Sequence, residues 1–228
     1  MLSVCAMSDL HGYLPEVEPC DLVLICGDIV PLKYQSDFEL TYNWYKYDFK
    51  RWANHLNCDK VLFIAGNHEL AFPKHSGVFY EEFPEEDKIT YLQDSEYIYK
   101  GKDGKDYKIY GTPWCQVFGR WAFMASDPAL EEIYSKIPKD LDILITHDAP
   151  YGVTDILLQK ECRWANGEHI GNKPLAKVIM KNKPKIVLHG HLHSTSREFE
   201  TLGMSKVTNC SLKDEFYNPI YSPIYFKL

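Results

Sequence analysis

The sequence predicts a layered α/β fold. Two observations carry that prediction. Short aliphatic runs recur at residues 2–7, 21–26, 60–65, 141–146 and 186–188. Each fills consecutive positions with apolar side chains, as a strand buried on both faces requires. Stretches with helical spacing fall between several of these runs, and such alternation packs helices onto a mostly parallel sheet. At 228 residues, 45% apolar and 14% aromatic, the chain can build a substantial core.

The elements follow in chain order. The first run ends at Ser8-Asp9 and the second at Gly27-Asp28. Residues 35–57 then place Phe38, Tyr42, Tyr45, Phe49, Trp52 and Leu56 at helical spacing. Ser36 is the expected N-cap, with Glu39 at the capping-box position. The third run ends at Gly66-Asn67, and residues 97–110 read as a hairpin around Gly101-Lys-Asp-Gly104. The fourth run ends at His147-Asp148. A second helical pattern covers 173–181 and stops before Lys183-Pro184. The fifth run ends at His189-Gly190, and strand-like pieces follow at 197–200, 205–210 and 224–228. No repeat, low-complexity tract or linker interrupts the chain, so one domain spanning 1–228 is expected.

Charge and cysteine usage narrow the function classes. The formal net charge is −7 and no long basic run occurs, which argues against strong nucleic-acid binding. A small phosphate ester remains compatible, because a bound metal neutralises phosphate locally. Cys5, Cys20, Cys26, Cys58, Cys115, Cys162 and Cys210 are scattered, without a C-x-x-C. They read as reduced thiols of a cytoplasmic protein. The N-terminus lacks a basic leader, and no apolar run approaches the ~20 residues of a membrane span, so no membrane partner is expected. The oligomeric state is open.

What the strands end on is the strongest signal. The ends read Ser8-Asp9-Leu10-His11, Gly27-Asp28, Gly66-Asn67-His68-Glu69, Thr146-His147 and Gly190-His191-Leu192-His193. Sites in α/β sheets form beyond the carboxyl ends of strands. Taken singly, a Gly-Asp is usually a turn and Gly-Asn-His-Glu can cap a helix. Together and in order, they deliver Asp9, His11, Asp28, Asn67, His147, His191 and His193 to one rim as a metal cradle. Carboxylates, imidazoles and a carboxamide oxygen, without thiolates, suit Mn²⁺, Fe or Zn²⁺. Seven donors exceed one tetrahedral site. They fit two divalent ions sharing a carboxylate, an arrangement that clamps an in-line displacement at phosphorus.

This ordered set, spanning residues 9–193, resembles the calcineurin-like metallophosphoesterase superfamily. Thr112-Pro-Trp114, Trp121-Ala-Phe123, Thr146-His-Asp-Ala-Pro-Tyr-Gly152 and Gly167-Glu-His-Ile-Gly171 are similar to small MPPED-type members, as are Thr208-Asn-Cys-Ser211 and Tyr217-Asn-Pro219. The resemblance implies a four-layered α-β-β-α sandwich of two mixed sheets. It implies that Asp9, His11, Asp28 and His193 hold one ion and that Asp28, Asn67, His147 and His191 hold the other, Asp28 bridging. A hydroxide between the ions would attack phosphorus. His68 would not ligate but would act near the leaving oxygen, as general acid or transition-state stabiliser. Mn²⁺ is the favoured metal, with Fe, Zn²⁺ or Ni²⁺ as alternatives.

One departure bears on substrate. Many members carry an Asp, often followed by Arg, soon after Gly-Asp, whereas this chain reads Gly27-Asp-Ile-Val-Pro-Leu-Lys33. A phosphate clamp is thereby missing, which favours a small phosphodiester, with cyclic nucleotides as candidates, over a highly charged monoester. A monoesterase or nuclease on the same fold, and a non-catalytic metal-bearing scaffold for partner binding, are the alternatives. Arg163 and His169 are candidate substrate contacts, and Trp114, Trp121 and Phe123 read either as core or as a base-stacking surface. His189 lies outside the motif; it is expected to pack near the rim or to orient a ligand.

Overall fold

The computed structural model describes residues 1–157 and 167–228. The described elements run in chain order β1 (Ser3–Met7), β2 (Leu22–Ile25), α1 (Phe38–Trp44), a π-helical segment (Tyr45–Phe49), α2 (Lys50–His55), β3 (Lys60–Phe63) and α3 (Phe72–Glu82). Next come β4 (Ile89–Tyr91), β5 (Ser95–Lys100), β6 (Asp106–Thr112), β7 (Cys115–Gln116), β8 (Met124–Ala125), α4 (Asp127–Tyr134) and β9 (Ile143–Thr146). The chain closes with α5 (Lys173–Asn182), β10 (Ile186–His189), β11 (Glu200–Leu202), β12 (Ser205–Asn209) and β13 (Ile224–Lys227).

Two mixed sheets result. One has the order β13-β1-β2-β3-β4, parallel except for β13. The other has the order β11-β12-β10-β9-β6-β5, with parallel central strands and antiparallel edges. Strand periodicity explains the layering, because alternate residues face opposite ways. Cys5, Met7, Val23, Ile25, Val61 and Phe63 face the helical run 38–55 and α3, where Tyr45, Phe49, Phe72, Phe79 and Phe83 fill an aromatic core. Val4, Ala6, Leu22, Leu24 and Leu62 face Ile109, Ile143, Ile145, Ile186 and Leu188 of the second sheet. Leu144, Val187 and Val207 point the other way, onto Leu130 and Tyr134 of α4 and Leu175, Val178 and Ile179 of α5. The fold is therefore a four-layered α-β-β-α sandwich of two mixed sheets.

Several expectations are refined. The five chemistry-bearing strands do not share a sheet: β1, β2 and β3 lie in one, and β9 and β10 in the other. The first helix is capped by Asp37, whose Oδ1 accepts from Leu40 N at 2.9 Å, and not by Ser36. The strand expected at 197–200 sits at Glu200–Leu202. Helices α3 and α4 and strand β4 were not foreseen from sequence. Among the described residues, no helix is long and apolar enough to cross a membrane.

Candidate metal centre

The carboxyl ends of β1, β2, β3, β9 and β10 open onto one place. The loops there are braced backbone to backbone: Asp9 N donates to Gly27 O at 3.0 Å and His11 N to Asp28 O at 2.9 Å. Asp9, His11, Asp28 and His191 all take positive φ, at 55°, 41°, 52° and 67°. That conformation is costly for non-glycine residues and concentrates where surrounding structure enforces it. Gly190 is needed for the same closeness, since a Cβ there would run into Ser8 Oγ and Asp9 Oδ2.

The expected donors converge. Asp9, His11 and His193 offer ligand atoms within 4.8 Å of one another, as do Asp9, Asp28 and His147. Asp28 Oδ2 is central, with Nε2 of His147 at 3.3 Å, of His11 at 3.8 Å and of His68 at 3.9 Å. Asn67 Oδ1 lies 3.0 Å from His147 Nε2. His191 groups with His147 and with a residue outside the expected set, Cys115. Its backbone N–H donates to both oxygens of Asp9, at 3.2 and 3.1 Å.

The donor chemistry fits divalent cations. His11 is buried, and neither of its ring nitrogens has a hydrogen-bond partner among the described residues. Leaving such a group unsatisfied costs about 1–3 kcal/mol, so its lone pair calls for an ion. His147 Nδ1 donates to Cys26 O at 2.7 Å, and His193 Nδ1 donates to Asp214 O at 2.8 Å. Both carbonyls fix the tautomer and turn Nε2 inward, as outer partners of metal-bound histidines do. His147 Nε2 and Asn67 Oδ1 are then two acceptors face to face, which a proton or cation must reconcile.

Electrostatics describe the same demand for positive charge. Burial disfavours imidazolium at His147 and His193, yet the carboxylates of Asp28 and Asp9 raise them to about 10 and about 9. Burial pushes His11 and His191 down to about 3, leaving them neutral. Burial also works against charge on Asp9 and Asp28, but His193 and His147 hold both carboxyls well below the usual range.

Other residues support the centre without having been singled out. Glu69 accepts from the backbone N–H of Asp28, Ile29, Val30 and Gly66 and from Tyr45 Oη, at 2.5–3.0 Å. It clamps the second and third strand ends together. Its place in Gly66-Asn-His-Glu69 was visible, though its role was not. Gln35 Oε1 accepts from His68 Nδ1 across 33 positions, which no local pattern announces. Asp148 is pushed by burial to about 6 and is held by Gln116 N and Asn172 Nδ2, both at 2.9 Å.

A cavity of about 720 Å³ opens over Asp28, Asn67, His68, His191 and His193. Its walls are largely apolar and include Val117, Phe118, Trp121, Leu157, Ile170 and Tyr217. The Trp121 ring lies 4.5 Å from His68, Phe118 5.0 Å from His191, and Tyr217 4.9 Å from His11. The aromatic residues named from sequence thus divide: Trp121 lines the cavity, while Phe123 is buried in the core with the half-buried Trp114 packed against it. His169 is not among the cavity-lining residues; its Nδ1 sits 2.5 Å from Asp155 Oδ1 on a 40% exposed side chain. Arg163 lies outside the described residues. His189 is buried, 2.7 Å from Thr154 Oγ1 and 3.0 Å from Gly190 O, and belongs to none of the donor groups.

A sequence profile of calcineurin-like phosphoesterases matches residues 2–195. Human metallophosphoesterase domain-containing protein 1 is 28% identical over 250 residues, covering 99% of this chain and 70% of that protein. The Caenorhabditis elegans UPF0046 protein T07D4.2 is 24% identical over 244 residues, covering 96% of this chain and 58% of that one. Among solved structures, TT1561 of Thermus thermophilus matches with a TM-score of 0.58 at 15% identity, covering 91% and 88% of the two chains, a likeness of fold.

Proposed function

The chain belongs to the calcineurin-like phosphoesterase family, and from that premise we propose that it is a dinuclear phosphodiesterase acting on a small substrate, with cyclic nucleotides as the leading class. Metal-dependent phosphoester hydrolysis follows from the family; the diester preference and the two-ion centre are this reading. The observation that carries it is the grouping of carboxylate and imidazole donors around Asp28.

Asp9, His11, Asp28 and His193 would hold one ion, and Asp28, Asn67, His147 and His191 the other. Bound ions supply Lewis-acid stabilisation of phosphoryl charge and lower the pKa of water. The protein's own residues do the rest. Cys26 O and Asp214 O hold His147 and His193 in the ligating tautomer. Asp28 Oδ1 accepts the His68 backbone N–H at 2.8 Å and so fixes that residue beside the cavity. With Nδ1–H given to Gln35, His68 Nε2 is the atom positioned to carry a proton to the leaving oxygen. Trp121 packs on the ring and restrains it.

The cavity supports the diester preference. Among its described lining residues there is no Lys or Arg, and Glu215 is present. A dianionic monoester gains most from cationic contacts, whereas a monoanionic diester with flat groups gains from aromatic walls. Manganese suits the paired carboxylates of Asp9 and Asp28. A cytoplasmic setting is part of the reading, supported by six free cysteines among the described residues.

The deciding measurement compares bis-p-nitrophenyl phosphate, p-nitrophenyl phosphate and 2′,3′- and 3′,5′-cyclic nucleotides, each with Mn²⁺, Zn²⁺ or chelator. Metal-dependent turnover is expected, with diesters preferred. A folded protein inactive on all of them with every ion would refute the reading, and a monoester preference would refute its diester part.

A further inference from the structure

One donor at the centre lies outside the seven. Cys115 offers its sulfur within 4.8 Å of ligand nitrogens of His147 and His191. We propose that Cys115 is a thiolate ligand of the second divalent ion, making that site selective for a thiophilic metal such as zinc, whereas the first site has no sulfur donor. The inference rests on the two-ion reading above and specifies the metal that this reading leaves open.

Geometry aims the sulfur. Cys115 begins β7, and its N–H donates to Phe123 O at 2.8 Å. Its neighbours are anchored by other partners: Trp114 Nε1 donates to Asp94 Oδ2 at 2.8 Å, Gln116 N to Asp148 Oδ2 at 2.9 Å, and Gln116 Nε2 to Ile170 O at 2.5 Å. Side chains alternate along an extended segment, so fixing Trp114 and Gln116 holds Cys115 on the face toward the histidines. The thiol is fully buried, and its hydrogen bond, to Pro113 O at 3.7 Å, is a weak one to give up. Thiolate and imidazole together are a ligand combination that zinc takes, so Cys115, His147 and His191 would hold it as a set.

Charge gives an independent reason. The first set has two carboxylates, Asp9 and Asp28. The second, as the family resemblance assigns it, shares Asp28 with the first and adds no carboxylate of its own, because Asn67, His147 and His191 bind as neutral ligands. A thiolate supplies the missing negative charge. As the metal–sulfur bond forms, the S–H bond breaks and its proton leaves to solvent. Softness then sets selectivity, since thiolate ligands favour zinc over manganese or magnesium. A call for metal in the centre also stands apart from the cysteine: His11, assigned to the first ion, is buried with two unpartnered ring nitrogens.

Cobalt(II) loading of the metal-free protein tests the inference without any turnover assay. Two ions should bind per chain, with a sulfur-to-cobalt charge-transfer band in the near ultraviolet beside the visible ligand-field bands. Cys115→Ser should lose the charge-transfer band and keep the ligand-field bands, with unchanged circular dichroism. In equilibrium dialysis against mixed Zn²⁺ and Mn²⁺, it should lower the zinc-to-manganese ratio by roughly tenfold or more. The wild-type spectrum alone is decisive should the variant fold poorly. Wild-type protein that binds two cobalt ions without the band overturns the role of Cys115 and leaves the two-ion reading standing. A folded protein that binds no cobalt overturns both.

Discussion

Glu69 shows how much one residue organises. Its carboxylate takes five hydrogen bonds from two strand-end loops and a helical tyrosine. Glu69→Gln turns one acceptor oxygen into a donor that faces other donors, with no solvent to relieve it. We expect a loss of about 3 kcal/mol in denaturant unfolding, together with weakened metal binding, because Asp28 and Asn67 hang from the same loops. A change under about 0.5 kcal/mol, within the range of an ordinary surface substitution, would show that the network is dispensable. The histidine run 189–193 gives a second prediction. His191→Ala and His193→Ala should abolish most metal-dependent turnover, while His189→Ala, which removes only bonds to Thr154 and Gly190, should retain most of it. Equal losses in steady-state assays would contradict this division. At this scale the meeting of the seven expected donor residues at one rim was legible because each follows a strand and sits in a short motif. Gln35 and Cys115 were not, because their distance from the motifs is bridged only by tertiary structure.

At the scale of elements, helix α1 separates two readings of one start signal. Ser36 and Asp37 both have capping side chains, and Glu39 three residues after Ser36 favours the earlier start on pattern alone. Asp37 takes the role, with extended φ and ψ of −114° and 122° and its carboxylate on Leu40 N. Asp37→Ala should therefore cost about 1 kcal/mol in chemical denaturation, and Ser36→Ala within about 0.5 kcal/mol of nothing; the reverse order would move the helix start back by one residue. The assignment of strands to sheets was beyond sequence reading for a physical reason. In a four-layered sandwich both sheets are covered on both faces, so β1 and β10 are both buried nearly throughout and neither shows which partner it pairs with. Helices α3 and α4 carried a start signal in Pro73 and Pro128 near their first turns. Their apolar stripes are weak and short, and His75 breaks the helical φ/ψ of α3.

At the scale of the molecule, the centre joins the two sheets. Asp9, His11, Asp28, Asn67 and His68 stand on the ends of β1, β2 and β3, whereas His147, His191 and His193 stand on the ends of β9 and β10. Ions bound between them would cross-link the sandwich and stabilise it by mass action, by about 2.7 kcal/mol at a hundredfold excess over Kd. Without ions, protons take part of that place. His147 and His193 have folded pKa values of about 10 and about 9, raised above the ordinary 6.5 by Asp28 and Asp9 after burial has worked the other way. Raised histidine values stabilise the fold fully below pH 6.5, and that contribution is lost as pH climbs through 9 to 10. The chelated protein should thus melt at progressively lower temperature from neutral to alkaline pH. The metal-loaded protein should show a smaller decline, because its histidines bind ions in the neutral form and have no proton to surrender. Thermal melts from pH 6.5 to 10, with chelator and with Mn²⁺ or Zn²⁺, measure both curves. A chelated protein whose midpoint stays level or rises over that interval would mean that the buried carboxylates and histidines are not paired as the geometry places them. Parallel curves would mean instead that the ions bind somewhere other than between the sheets.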